Sequence, residues 1–310
     1  MTDNIRDMVI IGGGPAGLTA GIYASRALMN VVLLERGAYG GQMLTTAHLE
    51  NYPGFPDGIG GFELADLMHK QAEVFGLPIE YRSVDKIRKE GDLFVLDSGS
   101  DEIQAKTVII ATGATPNKLG VPGEERLTGR GVSYCATCDG ALYRDRTVAL
   151  IGGGDSAVEE ALFLTRFASR VHIVHRRDKL RAVPLTSKRA LENPKITMEW
   201  NTLLTEVRGE DEVKELLLED AKTGDTRSLE VEGVFIYVGI TPLTSFASKL
   251  AQLDSGGYIV TDNTMQSSVP GLYATGDVRA GSIRQVSSAV GDGATAAFYA
   301  YKYLEEKNLV

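Results

Sequence analysis

The 310-residue sequence contains only 2 cysteines, 10 prolines, 4 histidines and a single tryptophan. Two cysteines cannot staple a disulfide-rich secreted scaffold, so a reducing, cytoplasmic setting is the expectation. Scarce proline beside 35 glycines excludes both collagen and a disordered Gly/Pro chain. No apolar run approaches the roughly 18 residues of a membrane span. Met1 to Asp7 does not read as a signal peptide: Asp3, Arg6 and Asp7 lead into a short apolar run ending at Gly12, the pattern of a first strand. Positive charge is in deficit, and a formal net charge of −9 argues against nucleic acid as a general partner. One stretch departs from that average. Arg166 to Arg189 carries eight Lys/Arg against one acid, Asp178. Such a run is ordinarily a solvated helix face, but its place in the chain gives it another meaning below.

The length suits about two domains, and an internal repeat supports two. Met8 to Gly17, an apolar run followed by a glycine cluster, recurs as Val148 to Ala157 at an offset of 140. The apolar segments Val31–Leu34 and Val171–Val174 repeat at the same offset. A second signature, an apolar strand ending in Gly-x-x-Pro, occurs at Val108–Pro116 and again at Val234–Pro242. Two strand–Gly loop–helix–strand units of this kind predict an α/β fold with two Rossmann-like, three-layer dinucleotide-binding domains. About 68 residues follow Pro242, with a strand-like Leu272–Ala274 and a helix expected over 294–307. The economical topology inserts the second domain into the first, which the tail then completes. Alternating polarity over 92–96 and 214–218 predicts antiparallel strands, and with them a small β-layer in each domain.

The first loop has the context that a lone Gly-x-Gly-x-x-Gly lacks. Gly12, Gly14 and Gly17 follow a strand and, with Pro15 and Ala16, open a helix; Glu35 closes the second strand. The first Gly allows the tight turn, the second lets the backbone approach a pyrophosphate at the helix N-terminus, and the third permits close helix–strand packing. Glu35 can accept hydrogen bonds from both ribose hydroxyls. In the second copy Gly152 and Gly154 are kept before Asp155 and Ser156, while Ala157 takes the packing position. The offset places His175 where the acid would stand, followed by Arg176 and Arg177. A carboxylate repels a ribose 2′-phosphate, whereas guanidinium groups bind it with charge-assisted hydrogen bonds. The basic stretch, with Arg181 adding to its field, is therefore aimed at NADP(H); Lys188 and Arg189 read as surface charges.

Cys135-Ala136-Thr137-Cys138 is the only cysteine chemistry in the chain. Two inert buried thiols, or half a zinc site completed by His172 and His175, are the bland alternatives. The two histidines lie an odd number of residues apart on one strand, so their side chains should face opposite ways. The third reading is redox: a Cys-x-x-Cys pair beside a βαβ unit, able to close a small-ring disulfide. Asp139, directly after it, reads either as a solvated acid at a helix start or as a proton donor and acceptor for the thiolate formed when the disulfide opens. No metal is expected.

Leu272-Tyr273-Ala274-Thr275-Gly276-Asp277 resembles the second FAD fingerprint of two-dinucleotide flavoproteins. With Cys-Ala-Thr-Cys-Asp-Gly at 135–140, His-Arg-Arg-x-x-x-Arg at 175–181 and Arg284-Gln285, the chain resembles, nearly end to end, the low-molecular-weight, bacterial-type thioredoxin reductases, class II of the pyridine nucleotide-disulfide oxidoreductases. One departure is visible: the family's Arg-Gln-Ala reads Arg284-Gln285-Val286 here. The cysteines' position separates this class from the glutathione reductase type, whose pair lies soon after the first dinucleotide fold. Gly40-Gly41-Gln42 and Asn51-Tyr52-Pro53-Gly54 occupy that region here.

The resemblance implies FAD on residues 1–116 and 245–310, held by Gly12, Gly14, Pro15, Ala16, Gly17, Glu35, Gly41, Gln42, Asn51, Gly113, Gly276, Asp277, Arg284, Gln285 and Val286. It implies NADPH on residues 117–244, held by Gly152, Gly154, Asp155, Ser156, His175, Arg176, Arg177 and Arg181. A hydride would pass from NADPH to the flavin, then electrons to the Cys135–Cys138 disulfide, then to thioredoxin. Cys138 would be the flavin-proximal thiol, Cys135 the one that attacks the partner, and Asp139 the proton carrier. Rotation of the NADPH domain about linkers near 115–119 and 243–247, and a homodimer, are further implications. A thiol oxidase of similar build would usually lack the arginines, a ferredoxin–NADP reductase would lack the cysteines, and a non-catalytic redox sensor would not need the complete set. The serious alternative is a flavoprotein disulfide reductase serving another small redox protein.

Overall fold

The computed structural model describes residues 5–46, 48, 49 and 51–310. The chain divides into two units. One comprises the N-terminal stretch to Leu44, Tyr52–Thr115 and Thr241–Val310; the other comprises Thr45–Asn51 and Pro116–Ile240. The chain crosses between them at 115/116 and 240/241.

The first unit opens with β1 (Ile5–Ile11), α1 (Pro15–Arg26), β2 (Val31–Glu35), α2 (Gly61–Val74), β3 (Ile79–Tyr81), β4 (Lys86–Glu90), β5 (Leu93–Ser98), β6 (Asp101–Ile110) and β7 (Ala114–Pro116). The second contains β8 (Val132–Ser133), the short α3 (Ala136–Asp139), β9 (Thr147–Gly152), α4 (Asp155–Leu164), β10 (Arg170–His175), α5 (Pro184–Leu191), β11 (Ile196–Trp200), β12 (Thr202–Arg208), β13 (Glu215–Asp220), β14 (Thr226–Glu230), β15 (Gly233–Tyr237) and β16 (Ile240–Pro242), whose end re-enters the first unit. The strands at the two crossings, β7 and β16, pair as a two-stranded ribbon. The tail adds β17 (Leu272–Ala274) and α6 (Val286–Glu306) to the first unit.

In the first unit the sheet order is β3-β2-β1-β6-β5-β4, with β17 also on β6. Strands β1, β2, β3, β6 and β17 run parallel, and β4 and β5 are antiparallel. The ten residues of β6 serve two ladders along one edge: 101–105 pair with β5, and Val108–Ile110 pair with β17. The small antiparallel layer expected from sequence is thus an extension of the main sheet here, hung on the first half of β6. Both faces are covered, which is why the parallel strands are apolar almost throughout. Val9, Ile11, Val32, Leu34 and Ile110 pack with Phe94, Leu96 and Ile87, while helices α1 and α6 pack on the strands too.

In the second unit β11-β10-β9-β15-β8 form a parallel sheet, and β12-β13-β14 form a separate antiparallel sheet with a bulge between Leu204 and Glu206. Alternation along β9 sorts the layers: Val148 and Leu150 pack against Val158, Ala161 and Leu164 of α4, whereas Ala149 and Ile151 face Leu204, Val207, Leu216 and Leu218 of the small sheet. That is the three-layer arrangement the repeat predicted.

Helix α6 begins eight residues before the start expected from its pattern. Gly291 and Gly293 lower the helical signal of its first half. Gly293 has a packing reason: a Cβ there would stand 2.2 Å from the Ala16 carbonyl oxygen, so only glycine lets α6 lie this close to α1.

Candidate active site

The first glycine loop is shaped by close approach. A Cβ on Gly17 would meet the Gly12 carbonyl oxygen at 1.8 Å, and one on Gly12 would meet the Ala111 oxygen at 2.4 Å. Among the described residues nothing lies within 4 Å of a Cβ built on Gly14 or Gly113. Gly14 caps α1 without any side-chain hydrogen bond to the first turn, and Pro15 follows as its first residue. A helix start without a side-chain cap, opening on the uncrowded Gly14, fits an anionic pyrophosphate. Glu35 grips the loop: its Oε2 accepts from Gly13 N at 2.6 Å and its Oε1 from Gly37 N at 2.8 Å. The carboxylate retains acceptor positions for ribose hydroxyls.

The tail closes on the same loop. Gly276, in the left-handed conformation at φ 69°, has Ala16 as its nearest neighbour, a Cβ there lying 3.2 Å from that of Ala16. Beside it, Thr275 is fully buried and its Oγ1 has no hydrogen-bond partner among the described residues. Burial pushes the Asp277 carboxyl above its usual range, against the opposing effects of a hydrogen bond from Ser282 (3.3 Å) and of Arg284. An unused buried hydroxyl and a half-hidden acid beside a bare helix start suit a polar, phosphate-bearing group of flavin dinucleotide type. Gly41 lies near Gly14 and Gln42 Nε2 donates to the Ala114 carbonyl, so both join this cluster. Arg284 lies over the Tyr258 ring, 5.3 Å from its centroid, and leads through Gln285 to Val286, the first residue of α6. Asn51 ends the stretch Thr45–Asn51, which groups with the second unit.

The second loop repeats the design with a different clamp. Gly154 caps α4 without a side-chain bond, and among the described residues the one neighbour of a Cβ there would be Arg181 Nη2 at 3.8 Å. Arg181 N also donates to Gly153 O at 2.7 Å. Where Glu35 grips the first loop, the His175 ring lies against Gly153, so close that a Cβ there would be 2.3 Å from Nδ1. His175 is buried, and its Nε2 meets Lys179 O at 3.1 Å. Burial and the flanking Arg181 and Arg177 hold its pKa below the ordinary value, against opposing backbone hydrogen bonds. It shapes the loop by packing its ring on Gly153, while Arg176 and Arg177 stand exposed beside it. Asp155 accepts from Val183 N at 2.7 Å, tying α4 to the start of α5, and Ser156 is exposed.

Cys135 and Cys138 form a disulfide in the second unit. Cys135 caps α3, and its Sγ accepts from Cys138 N at 3.2 Å, a donor that would also stabilise a thiolate. Ala136 N donates to the Tyr237 hydroxyl at 2.7 Å, which fixes the start of α3 against β15. Asp139 is largely buried. Its Oδ2 accepts from Ser133 Oγ at 2.6 Å, and its Oδ1 has no partner among the described residues. Burial raises its pKa above the ordinary carboxylate range, while the Ser133 bond pulls it down. A carboxyl that holds its proton more readily than usual is suited to donate it. The residues of the half-zinc alternative are engaged elsewhere: the two cysteines are joined to each other, His172 Nδ1 bonds Glu199 Oε1 at 2.8 Å and His175 Nε2 meets Lys179 O at 3.1 Å.

Sequence reading missed three supporting residues. Ser133 and Tyr237 hold the disulfide-bearing helix, and Asp292 pins the Gly276 turn by accepting from Gly276 N (3.1 Å) and from Arg279 (2.6 and 3.0 Å). Only Ser133, two residues before Cys135, lay near enough to a motif to be found. Among the described residues no helix is long and apolar enough to cross a membrane.

Comparison with known proteins agrees with this geometry. The profile of the pyridine nucleotide-disulphide oxidoreductases matches residues 6–293. A thioredoxin reductase of Treponema pallidum is 49% identical over 299 residues, covering 96% of this chain and 97% of that protein. One from Listeria innocua is 47% identical over 305 residues, covering 98% and 95%. The crystal structure of the thioredoxin reductase of Streptococcus pyogenes superposes with a TM-score of 0.95 at 48% identity, covering 98% of this chain and all of that one. With its two glycine loops, its tail returned to the first of them and its disulfide in the inserted unit, the chain belongs to the pyridine nucleotide-disulphide oxidoreductase family, among the bacterial-type thioredoxin reductases.

Proposed function

We propose that the chain is an NADPH-dependent thioredoxin-disulfide reductase that uses FAD. The observation that carries this reading is the Cys135–Cys138 disulfide beside the buried Asp139, on the same unit as a glycine loop flanked by Arg176 and Arg177. FAD is assigned to the first unit and NADPH to the second, where together they would supply hydride transfer and the electron pair that opens the disulfide. Gly14 and Gly154 leave room for the two pyrophosphates at α1 and α4. Glu35 accepts from a free ribose, and the exposed arginines favour a ribose that bears a 2′-phosphate. Cys138 is assigned to the flavin side and Cys135 to attack on the partner disulfide. Asp139 carries the proton of the opened pair. Because the second unit bears both the nicotinamide loop and the cysteines, it is assigned a rotation about its two linkers between the half-reactions. A cytoplasmic homodimer follows from the family resemblance alone.

Stopped-flow reduction of the flavin by NADPH and by NADH, followed by turnover with thioredoxin, tests the reading. Replacing Arg176 and Arg177 together by Ala should raise the KM for NADPH at least tenfold, given charge-assisted hydrogen bonds of about 1.5–3 kcal/mol each, and leave that for NADH much less affected. Equal effects on both would refute the 2′-phosphate role. A dithiol form that thioredoxin does not reoxidise would favour a reductase serving another small redox protein.

A further inference from the structure

The proton of Asp139 needs something to decide which oxygen carries it. Ser133 ends β8 two residues before Cys135 and is buried, at 4% exposure. Its Oγ lies 2.6 Å from Asp139 Oδ2, and accepts from Cys135 N at 3.1 Å. The other acceptor within reach, the Cys135 carbonyl, is at 3.3 Å. A hydroxyl has one proton to give, and the short contact claims it for Oδ2. Oδ1, buried and without a partner among the described residues, is left as the oxygen on which a proton relieves the cost of desolvation.

We propose that Ser133 is a positioning residue of the redox centre: by donating to Oδ2 it keeps the transferable proton of Asp139 on Oδ1 and ties that carboxyl to the backbone of Cys135. The proposal rests on the reading of Asp139 as proton carrier. When two electrons enter the disulfide, the S–S bond breaks and leaves two sulfur anions. One takes the proton from Oδ1, which leaves the Asp139 carboxylate with its charge met at Oδ2 by the Ser133 hydroxyl. When the pair reduces a partner disulfide, the partner's S–S bond breaks and takes up the two electrons, the protonated sulfur returns its proton to Oδ1 as the Cys135–Cys138 bond re-forms, and the partner's two sulfurs take their protons from water. Among the described residues, the titratable groups on the neighbouring elements are Tyr134 after β8, bonded to Glu124, Tyr237 of β15, whose hydroxyl accepts from Ala136 N, Tyr143, on the turn after α3, Arg146 next to it, and Glu159 and Glu160 of α4, the latter 3.2 Å from the Thr137 hydroxyl. None of them supplies Asp139 with a hydrogen bond; Ser133 does.

The test is the pH profile of thioredoxin turnover by the flavin-loaded enzyme, for Ser133→Ala, Ser133→Thr, Asp139→Asn and the Ser133→Ala, Asp139→Asn double variant. Donation to a carboxylate favours the ionised form, so Ser133→Ala should move the pH limb belonging to Asp139 to higher pH and lower the plateau about fivefold. Ser133→Thr, which keeps the hydroxyl, should restore both. In the Asp139→Asn background Ser133→Ala should move no limb. Should Ser133→Ala fail to fold, Ser133→Cys, with its weaker donor, should move the limb in the same direction. If the serine variants slow turnover equally at every pH and leave the limb in place while Asp139→Asn abolishes it, the Ser133 proposal is overturned and the Asp139 reading stands. If Asp139→Asn keeps the wild-type limb, the Asp139 reading itself falls.

Discussion

Asp292 of α6 offers the most quantitative test of how the Gly276 turn is held. Its carboxylate receives Arg279 in a two-point fork, 2.6 and 3.0 Å, and Gly276 N at 3.1 Å, with side-chain exposures of 9% for Asp292 and 18% for Arg279. Removing one partner of a buried pair costs about 3–5 kcal/mol, because the other charge stays behind unpaired. The residual exposure of Arg279 places Asp292→Ala near the lower end, about 3 kcal/mol, and the orphaned Gly276 N–H adds about 1 kcal/mol. Against a typical total of about 5–15 kcal/mol that is a large share. With a slope of about 3 kcal/mol per molar urea, the unfolding midpoint of the first unit should fall by roughly 1 M, and bound flavin should be released faster. Asp292→Asn keeps an acceptor and should lose about half as much. Arg279→Met combined with Asp292→Leu removes both charges and should recover most of the loss. A midpoint unmoved by Asp292→Ala, or a double variant no better than the single one, would refute the reasoning.

Two other outcomes follow from the geometry. Gly17→Ala sets a Cβ 1.8 Å from the Gly12 carbonyl oxygen; since backbone must move, purified protein should lose flavin and at least 3 kcal/mol of stability, read by calorimetry with and without added FAD. Glu199 is held below its ordinary carboxylate pKa by its hydrogen bond to His172 and by Arg227, despite opposing burial. A depressed carboxylate contributes stability that is present above its unfolded pKa, about 4.3, and lost as pH falls through the folded value. Glu199→Gln should therefore flatten the acid side of the stability–pH curve, and an unchanged slope below about pH 4.5 would count against this linkage.

Much of the fold was legible because the two loops carry the same constraints in the same order. Gly12 and Gly152 both sit where a side chain would strike backbone, and the apolar runs beside them are strands covered on both faces. The clamps were half legible. Glu35 and His175 were located by the offset, but the burial of the His175 ring under Gly153 depends on chain brought in from 179–181, which no local pattern encodes. The double pairing of β6 was hidden because one ten-residue strand presents a single pattern to two ladders. The Arg279–Asp292 fork was hidden because nothing in sequence distinguishes a buried carboxylate on an amphipathic helix from an exposed one.

The contact between Gly293 and Ala16 bears on how the chain comes off the ribosome. Helix α1 (Pro15–Arg26) must wait for the much later α6 (Val286–Glu306) before its inner face is covered, whereas most of the second unit, 116–240, is a contiguous stretch between them. At about 5–20 residues per second, the final segment follows on the order of several seconds later. The inserted unit can therefore finish folding while the first still exposes the apolar surface reserved for α6. Truncations near the C-terminus should accordingly leave a folded, disulfide-bearing insert attached to an aggregation-prone, flavin-free remainder.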